Sequence, residues 1–306
     1  MSWPAYLKLH ETGELARRAE AAAGLMARCR LCPRECLAQR LQGERGVCQV
    51  GDQAMVSSHG PHFGEERPLV GVGGSGTIFL THCNLCCVFC QNAEISQGDE
   101  GRIVSAQELA GMMLALQRMG CHNINFVTPT HQVPQILRAL VVAADDGLRL
   151  PLVYNCGGYE SLEALRLLDG VVDIYMPDFK YADPEIAREY SGVESYPAVA
   201  RAALAEMHRQ VGDLELDPRG IATRGLLVRH LVLPNGLAGT GEVVRFLAGL
   251  SRNTYLNVMD QYRPCSRAHE YPPLSRRPTR AEIQDAVRLA RAAGLTRLDG
   301  CYGHGL

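Results

Sequence analysis

Long apolar runs are missing from this chain. No stretch of about eighteen or more apolar residues occurs, which argues against a membrane-spanning helix. A surplus of one charge is missing too: 31 Lys and Arg face 33 Asp and Glu, for a formal net charge of -2. Without a basic excess, nothing in the composition points to nucleic acid as a partner. The opening segment, MSWPAYLKLHETGELARRAE, lacks the basic stretch leading into an apolar run that marks a secretory signal. Internal repeats and low-complexity tracts are also absent. A chain of 306 residues is long enough for one large domain, or a domain with an appendage, around a packed core.

Cysteine, by contrast, is plentiful. Twelve cysteines with no export signal are expected in a reducing cytoplasm, where clusters mark metal or redox sites more often than disulfides. Cys29, Cys32, Cys36 and Cys48 form one group, in CRLCPREC followed by GVC. Cys83, Cys86, Cys87 and Cys90 form the second, in THCNLCCVFCQN. Cys121, Cys156, Cys265 and Cys301 stand alone and read as small buried hydrophobes.

The rest of the chain reads as alternating strand and helix. An Ala-rich amphipathic helix over Glu14 to Met26 precedes a Pro- and Gly-broken cysteine stretch that reaches about Gly60. TIFLT, INFVT, PLVYN, VVDIYMP, LLVRHLVLP and YLNVM read as strands, and helical segments follow them. Two helices open on capping boxes, Ser105 to Glu108 and Thr279 to Glu282. LTRLDG closes the pattern. The expected division is a metal-binding segment over 1–60 and an α/β domain over 61–306. The alternation implies a parallel sheet with helices outside, either doubly wound or a full or partial barrel. In each case ligands belong at the C-terminal ends of the strands.

Three readings compete for CNLCCVFC. Positions 83, 86, 87 and 90 fall on the stripe of one helix face, as a plain core would. The run follows the strand TIFLT directly, however, and no N-cap pattern sets up a helix. Zinc held by four thiolates is the second reading, opposed by the adjacency of Cys86 and Cys87. The third uses Cys83, Cys87 and Cys90 alone, three thiolates that hold three irons of a [4Fe-4S] cube and leave the fourth iron open.

This C-x3-C-x2-C spacing, with Phe89 before the last cysteine and a strand just ahead, resembles the radical S-adenosylmethionine (SAM) superfamily. The resemblance implies a partial (β/α)6 barrel and a [4Fe-4S] cluster whose open iron is chelated by the methionine group of SAM. It also implies reductive cleavage of SAM and hydrogen abstraction from a substrate by a 5'-deoxyadenosyl radical. Over roughly 63–259 the chain is similar to enzymes like the pyruvate formate-lyase activating enzyme. On that likeness, Asn155 and Cys156 in YNCGG would be a polar pair near the SAM methionine group. Asp178 in MPDFK would meet its amino end or a cation, and Lys180 its carboxylate. LVLP, ending at Pro234, would be the strand end against which adenosine lies. Where the family usually has Gly-Gly-Glu, this chain has TPTH, so Thr128 and nearby carbonyls would receive the SAM ammonium, with His131 behind them. Glycyl-radical activators carry an arginine before the cysteine loop, and GVGGSGTIFLTHC has none. That stretch also matches G-x-G-x-x-G at Gly71, Gly73 and Gly76, but it precedes a strand and opens no helix, so it is not a dinucleotide fingerprint.

The N-terminal C-x2-C-x3-C-x11-C set suits structural zinc or an auxiliary iron–sulfur cluster. Glu65 and Glu66 read as a solvated pair or as groups at the barrel mouth. Arg263, Arg267, Arg276, Arg277 and Arg280 read as a solvated basic loop. Tyr262 and Cys265 lie just past a strand end, where substrate contact belongs. The functional expectation is a cytoplasmic radical SAM enzyme with flavodoxin or ferredoxin as electron donor and a protein among the candidate substrates. The alternative is a non-catalytic interaction protein with zinc at both cysteine groups.

Overall fold

The computed structural model describes residues 3–299, so Cys301 lies outside the described residues. Two helices open the chain, α1 (Tyr6–Glu11) and α2 (Glu14–Gly24). An irregular cysteine-bearing stretch leads to β1 (Ala54–His62), α3 (Arg67–Val70), β2 (Ser75–Leu80), α4 (Ala93–Ser96) and β3 (Arg102–Val104). Then follow α5 (Ala106–Arg118), β4 (Ile124–Val127), α6 (Val133–Asp145), β5 (Leu152–Cys156), α7 (Leu162–Leu167) and β6 (Ile174–Pro177). The remainder runs α8 (Pro184–Ser191), α9 (Tyr196–Val211), β7 (Glu215–Leu216), β8 (Ala222–Leu231), α10 (Thr240–Leu250), β9 (Tyr255–Met259), α11 (Arg280–Ala292) and β10 (Leu298–Asp299).

Both expected capping boxes form. Ser105 and Thr279 each accept from the backbone N–H three residues on, and Glu108 and Glu282 reach back to the cap N–H groups. α5 and α11 therefore start where the sequence places them.

The sheet order is β10-β9-β8-β6-β5-β4-β2-β1-β3. Along this order, from β2 to β10, neighbours pair in parallel and the order never reverses, while β7, outside it, pairs antiparallel with β8. A doubly wound sheet needs a reversal, so that expectation is excluded. A full barrel is excluded as well, because no pairing joins β10 to β3 among the described residues. Right-handed crossovers in one direction put the connecting helices on one face of the sheet. β1 and β3 depart from the parallel pattern: β1 pairs antiparallel with both β2 and β3. β1 also spans the expected division at residue 60, with Ala54 already paired to Val104.

Alternation along the strands sorts the side chains between two layers. Ile78, Phe126, Tyr154, Tyr175, Val228 and Leu256 join the large core with the helices. Val153, Ile174, Met176 and Leu227 form a smaller layer with Leu69 of α3, on the opposite face. This second layer is the floor of the site. No helix among the described residues is long and apolar enough to cross a membrane.

Candidate functional site

A cavity of about 270 Å³ opens at the C-terminal ends of the strands, as an α/β sheet of this order predicts. The loop from Cys83 to Asn92 forms one wall, and Val127, Thr128, Asn155, Asp178, Arg229, Leu231 and Met259 come in from successive strand ends.

Within the loop, the three cysteines of the C-x3-C-x2-C pattern differ from Cys86. The Leu85 N–H donates to Cys83 Sγ (3.4 Å), Ser191 Oγ donates to Cys87 Sγ (3.0 Å), and Ser96 Oγ lies 3.1 Å from Cys90 Sγ. Cys83 Sγ also donates to Asn84 Oδ1 (3.9 Å), while the Cys86 thiol donates to the Cys83 carbonyl (3.3 Å) from a left-handed φ of 55°. The backbone thus makes the sharp turn that separates Cys86 from its neighbour. Burial raises the Cys83 thiol to about 12 and also raises Cys87, so neither ionises near neutrality without a cation beside it. Three sulfurs supplied with hydrogen bonds, on one loop at one cavity, fit a cluster with three protein ligands.

Across the cavity sits a buried ion triad. Asp178 accepts from Lys180 Nζ (2.6 Å) and from Arg229 Nε (2.8 Å), and Arg229 also donates to Asn155 Oδ1 (2.6 Å). Burial pushes the Asp178 carboxyl up, but the charges of Arg229 and Lys180 outweigh it and hold the group below its usual range. Each carboxylate oxygen accepts from one of the cations, so Asp178 orients Lys180 and Arg229. Lys180 and Arg229 both line the cavity, where an anionic ligand group would meet them. Glu65 lies 4.0 Å from Arg229 and Glu66 accepts from Asn257 (2.8 Å). Both glutamates are largely buried beneath the triad, where the sequence had suggested solvent or the mouth.

Other expected residues fall as follows. Phe89 lines the cavity and packs edge-on against Tyr181 and Tyr262. Thr128 lines it too, with a left-handed φ of 60°. Cys156 borders it, but successive strand residues face opposite sides, and its side chain joins the helix-side core beside Glu160. Pro234 does not line it: β8 ends at Leu231, which with Met259 supplies the apolar wall instead. His131 is buried, its Nε2 2.9 Å from the Thr81 carbonyl, and stands away from the cavity. Tyr262 is buried and donates to the Leu274 carbonyl, so Gln261 is what this loop presents. Cys265 is half-buried, not a core cysteine, and does not line the cavity. The basic loop is exposed as expected, with Arg267 and Arg276 paired to Glu270 and Glu282.

Sequence reasoning missed Arg229 and Ser191. A lone arginine amid LLVRHLVLP, in phase with Leu227 and Leu231, was the available signal for the first. Ser191 carried none, since its meeting with Cys87 is tertiary. Gly158 was also missed as a determinant: its φ is 79°, and a Cβ there would stand 2.3 Å from the Asp178 carbonyl. Only glycine lets β5 turn against the triad strand.

Behind the cavity, Glu160 accepts from Thr130 Oγ1 (2.7 Å) and Tyr154 OH (2.9 Å) at full burial. Burial raises it from its usual 4.5 to about 7. A carboxyl raised by folding adds stability below its unfolded value and loses it as pH rises through the folded one. The unaltered chain should therefore lose about 3 kcal/mol relative to Glu160→Gln between about pH 4 and pH 8. Denaturant unfolding of both chains at the two pH values checks this, and a constant difference refutes it.

Among the described residues, no three Cys, His, Asp or Glu side chains converge closely enough to ligate one metal ion.

Residues 77–212 match the family model of the Radical SAM superfamily. The chain is also 34% identical over 288 residues to an uncharacterized protein of Methanocaldococcus jannaschii, which covers 91% of this chain and 78% of that relative. The family match takes in the cysteine loop, Thr128, Asn155, Asp178 and Lys180, and leaves out Arg229 and the N-terminal cysteines.

Proposed function

We propose, from the radical SAM superfamily domain that residues 77–212 carry, that Cys83, Cys87 and Cys90 hold its [4Fe-4S] cluster and that hydrogen is abstracted from an organic substrate at the cavity they line. The domain implies SAM-cleaving radical chemistry, a [4Fe-4S] cluster and bound SAM. When bound, these supply one electron and, by cleavage of SAM, the radical that removes the hydrogen. The observation that carries the reading is the asymmetry of the loop: Cys83 and Cys87 accept at sulfur from the Leu85 N–H and Ser191 Oγ, Cys90 shares a hydrogen bond with Ser96, and the Cys86 thiol is turned at a left-handed φ onto the Cys83 carbonyl.

The chain's own part is to bind, orient and shield. Lys180 and Arg229, held by Asp178, receive the carboxylate of SAM. Thr128 and its carbonyl neighbours serve the amino group. Leu231 and Met259 exclude water beside the adenosine. The same proposal includes a partial barrel, supported by the unreversed strand order, and an activating-enzyme-like protein substrate with flavodoxin or ferredoxin as electron donor, supported by MPDFK and the loop spacing. Anaerobic reconstitution with iron and sulfide, reduction, and addition of SAM should yield 5'-deoxyadenosine. A fully loaded, reducible protein that yields none overturns the reading.

A further inference from the structure

The family match begins at residue 77, so Cys29, Cys32, Cys36 and Cys48 have no part in it. We infer that these four thiols hold a second, polynuclear iron–sulfur centre whose negative charge is matched by the buried guanidinium of Arg40.

The backbone gathers them on successive turns. The Cys29 N–H donates to the Ala38 carbonyl and the Leu37 N–H to the Cys29 carbonyl, which sets Cys29 beside the irregular segment that carries Cys36. Cys32 opens a turn closed by the Glu35 N–H, and Cys48 sits in one closed from Gln49 to Gly46. That second turn lies against Cys36, since a Cβ on Gly46 would stand 2.4 Å from Cys36 Sγ. Cys32 is within electrostatic reach of Cys48 and Cys29, and Cys48 of Cys29 and Cys36. None of the four is in a disulfide, and Cys29, Cys32 and Cys48 are buried. Around them is little else to order the chain: a small apolar cluster that includes Leu25, Met26, Leu31 and Ala38. Glu35, Leu37 and Gln49 all take left-handed φ values, next to the cysteines. So small a core usually needs a staple.

Arg40 supplies the second observation. It is 0% exposed and makes no ion pair among the described residues; it donates to the Gly51 carbonyl (2.7 and 3.0 Å), the His131 carbonyl (2.8 Å) and Cys29 Sγ (3.8 Å). A buried cation with no carboxylate needs another anion. Metal-bound thiolates provide one. Zinc would suit the same four thiolates; iron–sulfur is inferred over it because the chain carries a domain of an iron–sulfur family and this segment lies against the cysteine loop. The centre also abuts the catalytic loop: Arg34, between Cys32 and Cys36, donates to the carbonyls of Asn84, Leu85, Ser191 and Gly192.

The inference stands apart from the catalytic reading and is tested without it. A full chain with Cys83, Cys87 and Cys90 all changed to Ala, purified anaerobically and given iron and sulfide, should retain iron and acid-labile sulfide in equal amounts and show an electron paramagnetic resonance signal on reduction. Adding Cys29→Ala and Cys32→Ala should remove both. Zinc without sulfide, or no metal, overturns the inference. In the same triple variant, Arg40→Gln keeps donors for the two carbonyls but drops the charge, and should shift the midpoint potential to a more negative value, because reduction adds negative charge. Arg40→Lys, folded by circular dichroism, should leave it unchanged. Equal potentials in all three chains would remove Arg40 from the centre.

Discussion

Cys87→Ala should abolish 5'-deoxyadenosine formation, whereas Cys86→Ala should keep most of it. The two residues are adjacent, equally sulfur-bearing and both at the cavity, so bulk, polarity and location predict similar effects. What separates them is the turn. At Cys86 the backbone enters the left-handed region and the thiol is spent on the Cys83 carbonyl, so its loss removes one weak hydrogen bond. Cys87 is buried, and its sulfur receives Ser191 Oγ, which in turn lies 2.9 Å from Tyr181 OH. Ser191→Ala should fall between the two substitutions, at about a 10- to 100-fold loss, the usual effect of removing a group that orients a metal ligand. Iron content measured beside activity makes the series diagnostic. Loss of iron and product in Cys86→Ala, with both retained in Cys87→Ala, would show that the wrong three thiols have been assigned.

How much of this could be read before the structure depends on whether the determinant was local. The capping boxes at Ser105 and Thr279 and the spacing of Cys83, Cys87 and Cys90 are contained in a few consecutive residues, and both boxes form as written. β1 was missed because AMVSSHGPH is broken by Gly60 and Pro61 and carries no clean alternation; it forms because β2 and β3 supply partners on both sides. Pro234 was placed at the cavity by extending the apolar run of LVLP, yet the ladder with β9 stops at Leu231 opposite Met259, and the chain turns away. Glu65 and Glu66 look solvated in HFGEERP, but Arg229 and Asn257, about 160 to 190 residues further on, draw them inside. Charge in a strand interior belongs to whatever opposes it across the fold, and that partner is invisible to a local pattern.

The same dependence on distant partners makes Asp178 the largest single contributor to stability near the site. Asp178→Ala should lower the free energy of unfolding by about 3–5 kcal/mol, because it strands Lys180 and Arg229, two cations with little access to water, without their shared anion. Asp178→Asn should be milder, since one amide oxygen still accepts from one of them. The pH dependence has a definite sign. Folding holds the Asp178 carboxyl below its ordinary value of about 3.9, so its stabilisation is present in full above that value and is lost as pH falls through the lower folded one. Unfolding of the unaltered chain should therefore become easier below about pH 4 by more than it does in Asp178→Asn. Affinity for SAM should weaken in parallel, because the carboxylate-binding pair is no longer held in place; equilibrium binding to the reconstituted protein measures that separately from turnover. An Asp178→Ala chain as stable as the unaltered one, at neutral pH and by denaturant titration, would mean that water reaches the triad and that its burial does not govern the site.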